Sequence, residues 1–271
     1  KGNVVTPKGL LDQYGSDAVR YWAANGRPGT DTAFDEGQMK IGRRLAIKIL
    51  NASKFTLSLA GDGKADVASV SNPIDHALLL KLASLVESST NAFEDFDYAR
   101  ALERTEQFFW RFTDDYVELV KTRAYGSQGV EEASSAHAAL SITLDTLLRL
   151  FAPFLPFVTA EVWSWSASDS VHRATWPTHK DLLSQLSGKV DTELFDVASE
   201  TLSEVRRAKT EAKRSLKVAA ERVVVSADRG RLDLLELART DLMEAGNISN
   251  LDLVEQQQGT TRVEVTLAEE N

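Results

Sequence analysis

The sequence predicts a mainly α-helical chain: a bundle of four or five amphipathic helices, followed by a small α/β unit with at least three strands. Three observations carry this expectation. Apolar residues recur at helical spacing through the first two thirds, as in Leu78, Leu82, Leu85 and Val86. Short connections bearing Gly or Pro separate these runs, as in a helical bundle. After Trp176-Pro177 the pattern changes, and β-branched runs such as Arg222-Val223-Val224-Val225-Ser226 appear.

Taken in order, Pro7 opens a short helix through Leu11 that Gly15 ends. Ser16 reads as an N-cap with Asp17 in the first turn, before Ala18-Val19-Arg20-Tyr21-Trp22. Gly26, Pro28 and Gly29 break that helix. Residues 36–60 read as one long helix closed by Gly61-Asp62-Gly63, and Asn72-Pro73 begins the next. Asp97 caps a helix running through Phe108, Phe109, Phe112, Tyr116 and Leu119. A further helix covers 131–152, with Leu140, Leu144, Leu147, Leu148 and Phe151 inward. Pro153 and Pro156 mark its junction with a short apolar helix ending near Trp165. The tail reads as a long helix over 190–217, a strand over Arg222–Ser226, and a helix over 229–245 terminated by Gly246. Strands over Ile248–Val254 and Thr261–Leu267 complete it.

The chain has 271 residues, 43% hydrophobic, with a net charge of −9. That is ample to bury a core and argues against global disorder. With no Cys, a disulfide framework, a thiolate nucleophile and a Cys-type zinc site are excluded. No stretch approaches a membrane-spanning run, and Lys1-Gly2-Asn3 lacks both an initiator Met and a signal peptide's apolar region. A processed or partial chain, cytoplasmic and monomeric, is the expectation.

The acidic average hides a basic patch. Residues 1–60 are net +4, whereas 61–183 and 184–271 are net −8 and −5. Between Gly37 and Gly61 there are five bases and no acid. On a helical wheel Lys40, Arg43, Arg44, Ile47, Lys48, Asn51, Lys54 and Phe55 fall within roughly 140° of arc. Ile41, Leu45, Ile49, Ala52 and Leu59 fall on another face that can pack on the bundle. Phosphates need cations and bases need stacking surfaces, so the first face suits RNA. Asn51 adds an amide that can read a base edge. A solvated face with salt bridges is the competing reading, weakened because solvated helices normally interleave their charges. Phe55 either stacks on a base or is buried under the 61–72 loop.

A second basic stripe, Arg206, Lys209, Lys213 and Lys217, follows helical spacing on the 190–217 helix, with Leu194, Val197, Thr201, Val205, Ala208, Ala212 and Leu216 docking it. It reads as a secondary RNA contact or as a solvated face. Enzyme signatures are thin: His76, His137, His172 and His179 are scattered, and no Gly-rich loop follows a strand. Phe108, Phe109, Trp110 and Phe112 read as core.

Specific motifs then add a resemblance. Lys1-Gly2-Asn3-Val4-Val5-Thr6-Pro7 is similar to the sequence directly after the KMSKS signature of class I aminoacyl-tRNA synthetases, and Tyr14-Gly15-Ser16-Asp17-Ala18-Val19-Arg20 resembles their Y-G-x-D-x-x-R segment. Residues 26–35, Gly42-Arg43-Arg44-Leu45 and Asn51-Ala52-Ser53-Lys54-Phe55 resemble the valyl members in particular. So do residues 152–163, the helix of their anticodon-binding bundle, and 170–177 after it. The resemblance implies a stem-contact connector at 1–40, a helical anticodon-binding domain at 41–183 and a small α/β domain at 184–271. It implies tRNA for valine as partner, read through Lys40, Arg43, Arg44, Lys48, Asn51 and Phe55. It also implies that the catalytic and editing parts, with ATP and magnesium, lie before Lys1, leaving this chain without a cofactor and catalytically silent. A coiled-coil arm would follow. The alternative is a helical adaptor that binds another protein through the 40–55 helix.

Overall fold

A computed structural model describes residues 7–59, 67–184, 186, 190–256 and 260–269. The helices are α1 (Pro7–Tyr14), α2 (Ser16–Ala24), α3 (Glu36–Leu59), α4 (Pro73–Glu94), α5 (Tyr98–Arg111), α6 (Val117–Ala124), α7 (Val130–Phe151) and α8 (Pro156–Trp163). They continue with α9 (His179–Leu183), α10 (Glu193–Glu211), α11 (Arg229–Leu237) and α12 (Arg239–Gly246). The strands are β1 (Ala220–Ala227), β2 (Ile248–Glu255) and β3 (Arg262–Leu267). The chain is thus mainly helical with a small sheet near its end. The opening motif at 1–6 and the Gly61-Asp62-Gly63 stop lie outside the described residues.

These elements form two compact units that do not follow chain order. The described part of the first spans 7–59, 82–109 and 141–184. Here Tyr14, Ala18 and Met39 form a small core flanked by Leu10, Val19 and Trp22. Phe109 meets Phe151 edge to face at 5.6 Å, and Phe93 stacks on Phe154 at 5.5 Å. Ser16 is not the N-cap of α2. Gly15 holds that position with φ +87 and no side-chain cap. Asp17 caps a different helix: its carboxylate accepts from the Phe157 and Val158 amides of α8 at 3.1 and 2.7 Å. A carboxylate at that end satisfies orphan N–H groups and complements the helix dipole.

The second unit contains the start of α4, α6, the start of α7, and the chain from α10 onward. Its sheet order is β2-β1-β3, with β1 parallel to β2 and antiparallel to β3. α11 and α12 form the crossover between the parallel strands, as parallel pairing requires. Among the apolar residues buried in this unit lies an ionic cluster. Arg123, fully buried, gives both terminal nitrogens to Asp75 at 2.7 and 2.9 Å and its Nε to Asp241 at 3.0 Å. Asp75 also accepts from the Tyr116 and Ser135 hydroxyls at 2.7 and 2.6 Å. Gln128 donates to Asp241 at 2.9 Å. Arg123 thus lies between two carboxyl groups, and burial pushes the Asp241 carboxyl above its usual range despite Arg123.

Three sequence expectations need correction here. The single helix expected from Asp97 through Leu119 is interrupted by a π-helical turn at Phe112–Tyr116. Of the aromatic run expected in the core, Phe109 and Phe112 are buried, while Phe108 and Trp110 are half-buried. The 229–245 helix is two helices, and left-handed Asn247 (φ 47), not Gly246, closes the second.

Candidate nucleic-acid interface

α3 begins at Glu36, behind Asp35, whose carboxylate accepts from the Gly37 amide at 2.7 Å. Met39, Gly42, Leu45, Ile49, Ser53 and Thr56 are its buried line. Of the apolar face expected from the wheel, Leu45 and Ile49 are buried, whereas Ile41, Ala52 and Leu59 are half-buried. Ser53 sits inside at no polar cost because its hydroxyl donates to the Ile49 carbonyl at 2.7 Å. Gly42 lets α3 approach Tyr21 of α2 so closely that a Cβ there would lie 2.6 Å from the Tyr21 Cβ. Tyr21 is held in turn by its hydroxyl, which donates to Glu106 at 2.6 Å. At the start of α3, the Tyr14 hydroxyl donates to Glu36 at 2.6 Å, and this bond holds its phenol above the ordinary tyrosine range. These contacts fix the rotation of α3 about its axis.

That rotation turns the cations outward. Lys40, Arg43, Arg44, Asn51 and Lys54 are exposed, with Ile47 among them at 48%. Lys48 and Phe55 are half-buried. From Lys40 to Phe55 the strip is roughly 22 Å long at 1.5 Å per residue. Among the described residues no carboxylate pairs with Lys40, Arg43, Arg44 or Lys54. Arg43 is partly engaged, donating to the Gln13 carbonyl at the end of α1 at 2.6 Å. Lys54 lies over the Trp165 ring at 6.0 Å from its centroid. The reading of Phe55 as buried under the 61–72 loop involves residues outside those described.

The chain resembles known proteins. Residues 75–225 match the family model of the anticodon-binding domain of tRNA ligase, which is more than half of the chain. The chain belongs to that family. Among its relatives, the valine–tRNA ligase of Thermobifida fusca is 53% identical over 269 residues, covering 99% of this chain and 30% of that protein. The valine–tRNA ligase of Salinispora tropica is 50% identical over 270 residues, covering 94% of this chain and 31% of that protein. The chain therefore spans about a third of the length of these relatives. Among solved structures, the LeuRS of a ternary complex with tRNA and LeuAMS from Agrobacterium radiobacter matches with a TM-score of 0.50 at 19% identity. That match covers 66% of this chain and 21% of the other, and carries the fold alone. Family membership does not favour the adaptor reading. α3 itself precedes the matched 75–225 segment, so its role rests on its own geometry.

The second basic stripe does not form. α10 ends at Glu211, and Lys213 adopts φ 54 beyond it, so Lys213 and Lys217 share no helix face with Arg206. Arg206 pairs with Glu118 at 3.6 Å and donates to the Asp114 carbonyl at 3.0 Å. Lys209 is 1% exposed, and its ammonium donates to the Gly246 and Leu216 carbonyls at 2.6 and 3.1 Å. It caps the C-terminal end of α12, a favourable place for a cation. Ala212 and Leu216, expected to dock the helix, are exposed. Lys209 thus reads as a structural residue that the charge pattern presented as a surface one. The sequence reading also missed Trp165, which stands beside α3 only because α8 does.

Proposed function

We propose that this chain is the tRNA-recognition part of a valine–tRNA ligase, holding the anticodon arm of tRNA for valine on the exposed face of α3. The observation that carries the reading is an outward strip, in a chain of net charge −9, on which Lys40, Arg43, Arg44 and Lys54 have no carboxylate partner among the described residues. Lys40, Arg44 and Lys48 take phosphates, Arg43 does so beside its tie to α1, Asn51 reads a base edge, and Phe55 offers its accessible side for stacking. In this reading 1–40 is the stem-contact connector, 41–183 the anticodon-binding domain and 184–271 a small accessory α/β domain. The full ligase works in the cytoplasm, activates valine with ATP and magnesium and esterifies the tRNA. This chain positions the anticodon so that the acceptor end meets the catalytic part. No step of ATP chemistry is assigned to its own residues. Among those described no group of three His, Asp or Glu side chains could hold a metal ion, and β1 passes to α11 through Asp228 without a glycine loop. No helix among them is long and apolar enough to cross a membrane.

The test is tRNA binding by the 271-residue chain as a function of salt, with Lys40→Ala/Arg44→Ala as the variant. Two phosphate contacts removed reduce the slope of log affinity against log salt by roughly 1.4–1.8. An unchanged slope overturns the assignment of this face. Valine-dependent ATP–pyrophosphate exchange by the chain alone, after contamination is excluded, overturns its placement as the recognition part.

A further inference from the structure

The exposed aromatic side chains of the first unit are unevenly placed with respect to charge. Phe34 leans on Trp22 at 6.1 Å, and Phe96 stands among Glu94, Asp95 and Asp97. Trp165 differs: it is 38% exposed and lies against the basic face, with the Lys54 ammonium 6.0 Å from its ring centroid. Its ring does not swing freely. Nε1 donates to Glu161 Oε1 at 3.1 Å, and the Trp165 amide donates to the Val162 carbonyl at 3.1 Å. The indole is therefore pinned at its polar edge, just past the end of α8, with part of its surface open beside a strip of cations. Phe157, 62% exposed, lies one turn before Glu161 on the same side of α8.

We infer that Trp165 is a nucleobase-stacking residue of the RNA interface, carrying a base of the anticodon loop while α3 holds the adjoining phosphates. The inference rests on the reading of α3 as the RNA face and deepens it. Four physical points support it. Indole offers a large stacking surface, and base–aromatic stacking tolerates any base because each has a π-face. A pinned ring has already lost the freedom that stacking would otherwise cost. The Glu161 carboxylate at the Nε1 edge disfavours phosphate there, so the uncharged base and not the backbone belongs at this end. The Lys54 ammonium near the ring keeps a positive charge within reach of the flanking phosphate and adds cation–π attraction for the indole.

The experiment uses the 271-residue chain and an RNA stem-loop bearing the anticodon arm of tRNA for valine. Affinity, its salt slope and melting temperature are measured for Trp165→Ala, Trp165→Phe and the Lys40→Ala/Arg44→Ala control. Tryptophan fluorescence is followed during titration of the parent chain and Trp165→Phe. Trp165→Ala is expected to weaken binding roughly 5- to 100-fold with an unchanged salt slope. Trp165→Phe retains part of the affinity and loses the RNA-induced quenching of the parent chain. If the control loses affinity and slope while Trp165→Ala binds within about twofold of the parent, the inference fails and the α3 reading stands. If neither variant changes binding, the α3 reading itself fails. Should Trp165→Ala not fold, the Trp165→Phe titration decides: undiminished quenching overturns the stacking role.

Discussion

Substituting Gly42 by Ala should destabilise the chain, although the usual rule for a helix interior points the other way. Ala is preferred over Gly in a helix by about 1 kcal/mol. At Gly42 the added Cβ would lie 2.6, 2.7 and 2.9 Å from Cβ, Cγ and Cδ1 of Tyr21. Carbon pairs are at their optimum near 3.5–4.0 Å, so the helices must separate by about 1 Å or the ring must move. The ring is poorly placed to move: Tyr21 is 5% exposed and its hydroxyl donates to Glu106 at 2.6 Å. Overpacking of this kind costs about 1–3 kcal/mol, and three contacts below 3 Å against an anchored ring place it at the upper end. Less the propensity gain, about 2 kcal/mol of net destabilisation remains, a fall of roughly 4–8 °C in melting temperature. Gly9 is the control. It lies inside α1, and a Cβ added there would meet nothing within 4 Å, so Gly9→Ala should be neutral or stabilising by up to about 1 kcal/mol. Paired thermal melts read both effects. A Gly42→Ala chain that melts at or above the parent temperature would refute the claim that this glycine exists for the α2–α3 approach.

Two further outcomes follow from the polar contacts. Asp17→Ala removes the acceptor of two α8 amides and should cost about 1–2 kcal/mol by denaturant melt, with Asp17→Asn recovering part of it; equal losses for both would deny the capping role. Arg123→Met strands Asp75 and Asp241 and should cost about 3–5 kcal/mol, whereas Asp241→Asn should cost much less, since it removes a charge that burial already disfavours. The pH dependence has a definite sign. A carboxyl whose folded pKa is raised binds protons more readily in the folded state. The parent therefore gains stability relative to Asp241→Asn as pH falls from neutral through that raised value towards about 3.9. A stability difference that is flat over that range would show that Asp241 titrates as in the unfolded chain.

Most helices were legible because caps, Pro and Gly punctuation and the 3.6-residue period agree along the first two thirds. The failures have physical causes. Ala212 and Leu216 continue the apolar period of α10, so the pattern runs on to 217. The chain instead turns at Lys213, whose left-handed conformation lets the Arg214 amide reach the Lys209 carbonyl at 2.8 Å and the backbone start back towards β1. Lys209 looked like a surface cation because periodicity reports a helix face and not what a later segment lays on it. Its partner carbonyl, Gly246, lies at the end of another helix. The same limit hid the Asp17 cap on α8 and the place of Trp165 beside Lys54. The basic face of α3 was legible because it needs only local information: one helix, one phase, and no acid between Gly37 and Gly61.

The local nature of α3's charge gives a prediction that separates function from scaffold. Lys40 lies three and four residues before Arg43 and Arg44, so these like charges face one another along the helix. Such pairs cost about 0.2–0.5 kcal/mol each, so about 0.4–1 kcal/mol for the two. No carboxylate among the described residues offsets it. Lys40→Ala removes both repulsions and places a better helix former at an exposed site. The substitution should therefore leave stability unchanged or raise it by up to about 1 kcal/mol, while weakening RNA binding in low salt. A cation kept at a cost to the free chain is what a polyanion-binding face requires, because counterion release on binding more than offsets the repulsion. Lys40→Ala that loses stability and keeps its salt-dependent affinity would assign Lys40 to the scaffold and remove the first cation from the interface.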